Sequence, residues 1–351
     1  MSPRPSDPGR PSGVGASSAD DGLASGLTPD SGESVRVEGL TRHFGDTAAV
    51  SDLSFQVGEG ELFGIVGPDG AGKTTTLRML AGVLPPTSGR AVIHGVDVGE
   101  DPEGVKPFIA YMSQQFGLYQ DLTVRENIDF YADLYRVPAA DRPARMERLF
   151  AFSNLGPFQG RLAGQLSGGM KQKLSLSCAL IHHPRVLLLD EPTFGVDPIS
   201  RRDLWLILHE MVAEGVTVLV STSYLDEAER CDRVVLLRDG RVLALDAPDR
   251  LLEFLPGDVV SVEGPRPRAM AGVIRTVDGV LGAALFGNTV HAVLADGEEA
   301  QKRLEEVLKA EGLEVESLER TEPSLEDVFL HLVRRGLAGE KEGKEGDDSR
   351  G

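Results

Sequence analysis

From Val35 to about Pro248, short runs of Val, Ile and Leu alternate with longer stretches of helical periodicity. This pattern predicts an α/β domain built on a substantially parallel sheet. The runs ELFGIVG, RVLLLD, VTVLVS and RVVLLRDG are the clearest strands. Three of them are continuously apolar rather than alternating, which places them at the sheet centre with both faces covered. After ALDAPDRLLEFLPG the texture changes to DVVSVEG, TVDGVLGAALFGNTVHAVLAD, the charged helix GEEAQKRLEEVLKAEG and a strand-like EVESLER. These predict a small α+β appendage over 257–337, closed by the helix SLEDVFLHLVRRG. The chemistry-bearing domain then spans 34–250. No internal repeat occurs.

The first 33 residues are rich in Pro, Ser, Gly and Asp, and residues 338–351 are charged and Gly-rich. Both bury too little apolar surface to offset the entropy of ordering, so both are expected to be disordered tails. A chain of 351 residues suits two domains of unequal size.

Composition narrows the function classes. The 55 acidic and 36 basic residues give a formal charge of -19, which repels a phosphate backbone at long range. With no basic patch in the sequence, a nucleic-acid partner is not expected. Cys178 and Cys231 are far apart and in no metal-ligand spacing, which fits core thiols in a reducing compartment. No run reaches the roughly 18 to 20 apolar residues that span a bilayer, and the N-terminus lacks the apolar stretch of a signal peptide. The expected location is therefore cytoplasmic, with any membrane role exercised through another subunit.

GPDGAGKTT, Gly67 to Thr75, matches G-x-x-x-x-G-K-[ST] and lies between the strand LFGIV and the helix TTLRMLAGVL, the context that the motif requires. Backbone N–H groups of such a loop (Gly67, Asp69, Gly70, Ala71, Gly72) wrap phosphates, aided by the helix N-terminus with Thr75. Lys73 reaches the β and γ phosphates, and Thr74 ligates Mg²⁺. RVLLLDEP supplies the carboxylates: Asp190 to hold the metal through water, and Glu191 to polarise an attacking water.

Just before that strand, LSGGMKQKLSLSCALIHHP opens a helix with a serine-diglycine turn. Together with the phosphate loop it resembles the signature sequence of ABC ATPases. The resemblance covers most of the chain with its motifs in order, and implies a P-loop NTPase fold with a helical signature subdomain. It implies that Ser167, Gly168 and Gly169 grip the γ-phosphate of a nucleotide held by a second nucleotide-binding domain. Phe44 looks like the aromatic that stacks on adenine, although a core position would also suit it. Gln114 looks like the glutamine loop that joins Mg²⁺ to the transmembrane partner, and FGVDP, Phe194 to Pro198, resembles the turn through which two such domains touch. GLYQDLTVREN, GQLSGGMKQKL, EPTFGVDP and EPSLEDVFL are similar to the ATP-binding subunits of bacterial ABC-2-type exporters, many of them multidrug transporters. That implies ATP and Mg²⁺ as cofactors, separate permease subunits as partners, and a place at the inner face of the cell membrane.

Two positions depart from the family pattern. Met170 replaces a commoner glutamine of the signature. Ser223 stands where the family carries a histidine that contacts the γ-phosphate, and no histidine lies between His209 and His291. A serine hydroxyl is shorter than imidazole and never cationic near neutral pH. Losing one preorganised donor costs on the order of 10² to 10³ in rate, so a slow site with intact nucleotide binding is expected. Three arrangements fit: one half of an asymmetric pair whose other member carries the histidine, a slow homodimer using Glu191 and a Ser223-bound water, or an ATP-binding switch that barely hydrolyses. A soluble ABC protein acting on ribosomes or DNA is a further alternative. Such proteins generally carry two cassettes or a coiled-coil insertion, and neither is present here.

Overall fold

The computed structural model describes residues 32–115, 117–295 and 297–335. The two expected tails lie outside the described residues except for Gly32 and Glu33, and Glu33 already belongs to the first strand. In chain order the elements begin with β1 (Glu33–Phe44), β2 (Thr47–Gly58), β3 (Leu62–Val66), α1 (Lys73–Leu80), β4 (Ser88–Ile93), β5 (Val96–Asp97), α2 (Pro102–Val105) and β6 (Ile109–Met112). Next come α3 (Val124–Leu134), α4 (Arg142–Ser153), α5 (Gly168–Leu180), β7 (Val186–Asp190), α6 (Pro198–Ala213), β8 (Thr217–Thr222) and α7 (Leu225–Ala228). Then follow β9 (Arg233–Arg238), β10 (Arg241–Asp246), α8 (Pro248–Leu252), β11 (Asp258–Glu263), α9 (Pro267–Ile274), β12 (Val280–Phe286), β13 (Thr289–Leu294), α10 (Gly297–Ala310) and β14 (Ser317–Thr321). Residues 325–335 are helical.

The site rests on a six-stranded sheet of order β10-β9-β3-β8-β7-β6. Its β9-β3-β8-β7-β6 portion is parallel, and β10 returns antiparallel on β9. The continuous apolar runs are explained by burial of both faces. Leu62, Val66, Leu187, Leu189, Val218 and Val220 enter one core, whereas Phe63, Ile65, Val186, Leu188 and Leu219 enter the other. Successive side chains of a strand point to opposite faces, so each face needs its own cover. Helices α3 to α6 contribute to the first core. A four-stranded antiparallel sheet of order β2-β1-β4-β5, with α1, contributes to the second.

That antiparallel sheet has no counterpart in the sequence-based expectation. The β1–β2 ladder carries several register shifts, and each bulge interrupts the period-two pattern by which a strand is read. The β9–β10 hairpin turns at Asp239 (φ 50) and Gly240 (φ 75), the two left-handed residues that a tight hairpin turn uses.

The C-terminal segment forms a separate antiparallel sheet, β12-β13-β11-β14, covered by α9 and α10 around their own core. The expected α+β appendage is present, with the short helix α9 in addition. The helix of 325–335 sends Leu325 and Val328 into the first core of the cassette, together with Ala228, Cys231, Leu251 and Leu255. The appendage is thereby fastened to the large domain near α7.

Candidate nucleotide site

The phosphate loop leaves β3 and enters α1, whose N-cap is Gly72 at φ 102. Only glycine holds that conformation without strain. The space is equally restrictive, because a Cβ at Gly72 would lie 2.6 Å from the Ala49 carbonyl oxygen, and one at Gly67 would lie 2.3 Å from that of Leu237. On the front of the loop the reverse holds: nothing lies within 4 Å of the Cβ direction at Gly70. The loop is packed tightly behind and open in front, a shape that admits phosphate oxygens to its N–H groups.

A cleft of about 470 Å³ opens there, lined by Asp69, Gly70, Gly72, Lys73, Thr74, Thr75, Gln114 and Glu191, with Ala49 and Phe194 completing the wall. Lys73 is buried at its floor. Its Nζ donates to the carbonyls of Gly67 at 2.8 Å and Pro68 at 3.1 Å, and pairs with Glu191 Oε1 at 3.1 Å. Two neutral acceptors and one carboxylate hold the ammonium in place beside the cleft.

The carboxylates come from the end of β7. Asp190 Oδ1 accepts from the hydroxyls of Thr74 and Ser221, each at 2.9 Å, and Oδ2 accepts from Tyr111 at 3.3 Å. Burial, and next the charge of Asp190, raise the pKa of the Tyr111 phenol, so it remains a donor to that carboxylate at neutral pH. Ser221 Oγ also accepts from the Glu191 N–H at 3.0 Å. Glu191 itself sits at φ 48, a strained setting of the kind that costs of order 1–3 kcal/mol and clusters at functional sites. Gln114 Nε2 donates to Glu191 Oε2 at 3.3 Å. Thr74, Gln114 and Asp190 offer only oxygen ligands, the donor set that suits Mg²⁺.

The structure thus gathers most of the expected residues. Gly67 and Ala71 support the cradle from behind, and Ala71 is buried. Phe44 is 49% exposed at the end of β1, under the Arg42 guanidinium at 4.8 Å from the ring centroid, so the core reading for it does not hold. Ser167 caps α5, accepting from Met170 N at 3.3 Å, and both Ser167 and Gly168 are exposed, away from the lining of this cleft. Gly169 is buried against α6, where a Cβ would meet Ser200 at 2.3 Å. Met170 packs against the cassette core, which gives an apolar side chain a reason to stand there. Ser223 follows β8, half-buried, and is not in the cleft lining. Both cysteines are free and buried, and burial pushes both thiols up, as expected of core positions.

Sequence reasoning missed Ser221, Tyr111, Thr193 and Glu227. Strand register discloses the first two, since Tyr111 pairs with Leu188 and Asp190 with Ser221, and the Thr193–Glu227 hydrogen bond at 2.9 Å discloses the others.

Comparison with known proteins agrees with this geometry. Residues 50–194 match the ABC transporter family, and residues 251–333 match the C-terminal domain of DrrA1-3-like ATP-binding proteins. The chain is 43% identical over 292 residues to the probable multidrug ABC transporter ATP-binding protein YbhF of Escherichia coli, an alignment covering 83% of this chain and 50% of that protein. It therefore spans about half the length of that relative. It is 37% identical to the daunorubicin resistance ATP-binding protein DrrA2 of Streptomyces coeruleorubidus over 79% of this chain and 88% of that one. It is also 37% identical to the Nod factor export ATP-binding protein I of a Rhizobium species, over 81% and 92%. Among solved structures, an ATP-binding subunit of an ABC transporter superposes with a TM-score of 0.58 at 31% identity, over 63% of this chain and 92% of that one. A dimeric cassette bound to ADP and phosphate gives 0.55 at 27%, over 61% and 98%. The chain belongs to the ATP-binding proteins of the ABC transporter family.

Proposed function

We propose that this chain binds and hydrolyses ATP to drive an ABC-2-type membrane exporter, working as one of two nucleotide-binding domains beneath separate permease subunits. The observation that carries this reading is the convergence of two motifs more than a hundred residues apart: Thr74 on Asp190 at 2.9 Å and Lys73 on Glu191 at 3.1 Å. A phosphate-binding loop alone would serve a binding module. The added carboxylates serve cleavage.

In this account the loop N–H groups of Asp69, Gly70, Gly72 and Thr75 hold the phosphates, backed by Gly67 and Ala71, whose N–H groups donate to the carbonyls of Thr222 and Pro68. Lys73 neutralises the phosphates, and Phe44 stacks on the base. Thr74, Asp190 and Gln114 hold Mg²⁺, which when bound neutralises charge on the phosphate oxygens. Glu191 accepts the proton of the attacking water. Ser167, Gly168 and Gly169 serve the nucleotide of the partner domain, in keeping with their place outside the chain's own cleft.

Ser223 contributes little to this site, and turnover is slow. The partner is a second copy or a related chain that carries the histidine. Five residues beyond Gln114, exposed Tyr119 stacks edge-on with Phe130 at 4.5 Å, and Leu134 and Tyr135 extend the apolar patch along α3. This patch supports docking of a permease at the cytoplasmic face of the membrane, because among the described residues no helix is long and apolar enough to cross one. The names of the relatives, multidrug, daunorubicin resistance and Nod factor export, support export as the direction. We assign 34–250 to the cassette, 257–337 to the accessory domain and the terminal segments to tails, with no nucleic-acid role.

Steady-state phosphate release with Mg²⁺, alongside equilibrium ATP binding, tests the reading. Lys73→Ala should weaken ATP binding at least about 100-fold, the loss of several charge-assisted hydrogen bonds, and abolish turnover. Unchanged affinity in that variant would sink the proposal.

A further inference from the structure

Glu227 is 1% exposed on α7, four residues past Ser223. Its Oε2 accepts from Thr222 Oγ1 at 2.7 Å and from Thr193 Oγ1 at 2.9 Å. Its Oε1 pairs with Arg201 Nε at 3.4 Å, and the Arg201 guanidinium lies over the Tyr224 ring at 4.5 Å from the centroid. Thr222 Oγ1 in turn accepts from Tyr224 N at 3.0 Å. Each partner flanks a segment of the proposed hydrolytic machinery. Thr222 immediately precedes Ser223, Thr193 is two residues after Glu191, and Thr193 and Arg201 bracket the turn Phe194 to Pro198 from both sides.

Burying a carboxylate is costly unless every lone pair finds a donor, so the chemistry of the partners is informative. Two hydroxyls donate to Oε2, and a guanidinium faces Oε1 at ion-pair distance. A carboxylate suits all three neighbours, because a glutamine would turn an NH₂ toward either the hydroxyls or the guanidinium. The Arg201 arm is long, and Arg201 Nε and Glu227 Oε1 make no hydrogen bond, to each other or elsewhere among the described residues, so that arm has room to tighten.

We propose that Glu227 is a positioning residue for hydrolysis, whose buried carboxylate makes the Ser223 loop, the Glu191 loop and the turn Phe194 to Pro198 move as one unit. The proposal rests on the hydrolytic reading above. Glu227 does not line the cleft, so it acts through the loops it ties and not on nucleotide. With a serine at 223, the placement of Glu191 and its water depends more heavily on this tie.

The test uses the full chain and three variants, Glu227→Gln, Thr222→Val and Thr193→Val, with Thr222→Ser and Thr193→Ser as versions that keep the hydroxyl. Glu227→Gln should lower kcat by about 10- to 100-fold, the scale of a misplacement near 1 Å, with ATP affinity within twofold. Each valine variant should lower kcat less, the two together no further than Glu227→Gln, and the serine variants should retain it. Hydrogen exchange of amides 191–197 and 222–226 should quicken together in Glu227→Gln. A kcat within twofold of the unaltered protein, a loss of ATP affinity matching the loss of kcat, or faster exchange in only one segment would overturn the proposal. Should Glu227→Gln fail to fold, the valine variants, which leave the charge in place, decide the matter. If the unaltered protein shows no Glu191-dependent turnover, the hydrolytic reading fails, and joint or separate exchange of the two segments still decides whether Glu227 couples them.

Discussion

Glu191→Gln should slow hydrolysis, destabilise the nucleotide-free protein and tighten ATP binding, and one contact sets the last two magnitudes. Lys73 and Glu191 lie 3.1 Å apart with side chains 5% and 10% exposed. The other acceptors of the Lys73 ammonium are the Gly67 and Pro68 carbonyls. A phosphate that takes Lys73 must therefore displace Glu191. A hydrogen bond between charged groups contributes about 1.5–3 kcal/mol net, so the nucleotide-free variant should be less stable by about that amount. The bound forms lack the Lys73–Glu191 pair in both proteins, so the same free energy reappears as tighter binding, about 10- to 100-fold in Kd at 1.4 kcal/mol per decade. Removal of the base should lower kcat by about 10² to 10⁴. Urea unfolding with and without ATP, calorimetric titration, and phosphate release measure the three quantities. The reasoning fails if affinity and nucleotide-free stability both stay at their wild-type values, because the ion pair then has no energetic weight. Unchanged kcat would remove Glu191 as the base.

Ser223→His should raise kcat by up to about 10²-fold if the loop after β8 keeps the geometry that a longer side chain needs; an unchanged kcat at equal ATP affinity would show that the loop has drifted as well. In the appendage, burial pushes the Asp327 carboxyl up, but hydrogen bonds from His291 and from the Ser324 backbone and hydroxyl pull it below its ordinary value. A depressed folded pKa contributes stability above the unfolded value of about 3.9, and that stability is lost as the pH falls through the folded one. Asp327→Asn should accordingly be less stable than wild type at pH 7, with the gap in urea midpoint closing below about pH 4. A gap that stays constant to pH 3 would refute the assignment.

How much of this was legible in the sequence depends on how far each feature reaches. The phosphate loop could be read because its requirements are local: a strand, glycines at fixed spacing before a Lys-Thr pair, and a helix start. The central strands could be read because burial on both faces leaves nothing but Val, Ile and Leu. The first antiparallel sheet could not, because bulges scramble its alternation. Nor could Ser221 and Tyr111, whose roles exist only once strands about 30 to 80 residues apart lie in register, or Glu227, whose role exists only once α7 is packed against the loop after β7. Met170 could be seen as a departure but not explained, since its packing partner, the cassette core, is itself a tertiary fact.

The arrangement also accounts for why one chain holds only part of a working site. The exposed end of α5 presents Ser167 and Gly168 to solvent, and the first N–H groups of a helix attract an anion. The chain's own cleft, lined by Lys73, Gln114 and Glu191, lies elsewhere. Each proposed domain thus carries an anion-binding surface with no anion of its own chain to serve. In a pair, ATP bound to one cleft can satisfy the α5 terminus of the other, so the closed form gains contacts that the open form lacks. A ligand shifts an equilibrium only by its differential affinity for the two states, and here the difference resides in those two helix ends. Phe194 and Ile199, 54% and 77% exposed in the single chain, sit on the turn and helix start that flank Glu191. Closure that covers them would therefore press on the segments that Glu227 ties together, and contact with the partner would reach the Glu191 loop and the Ser223 loop by one route.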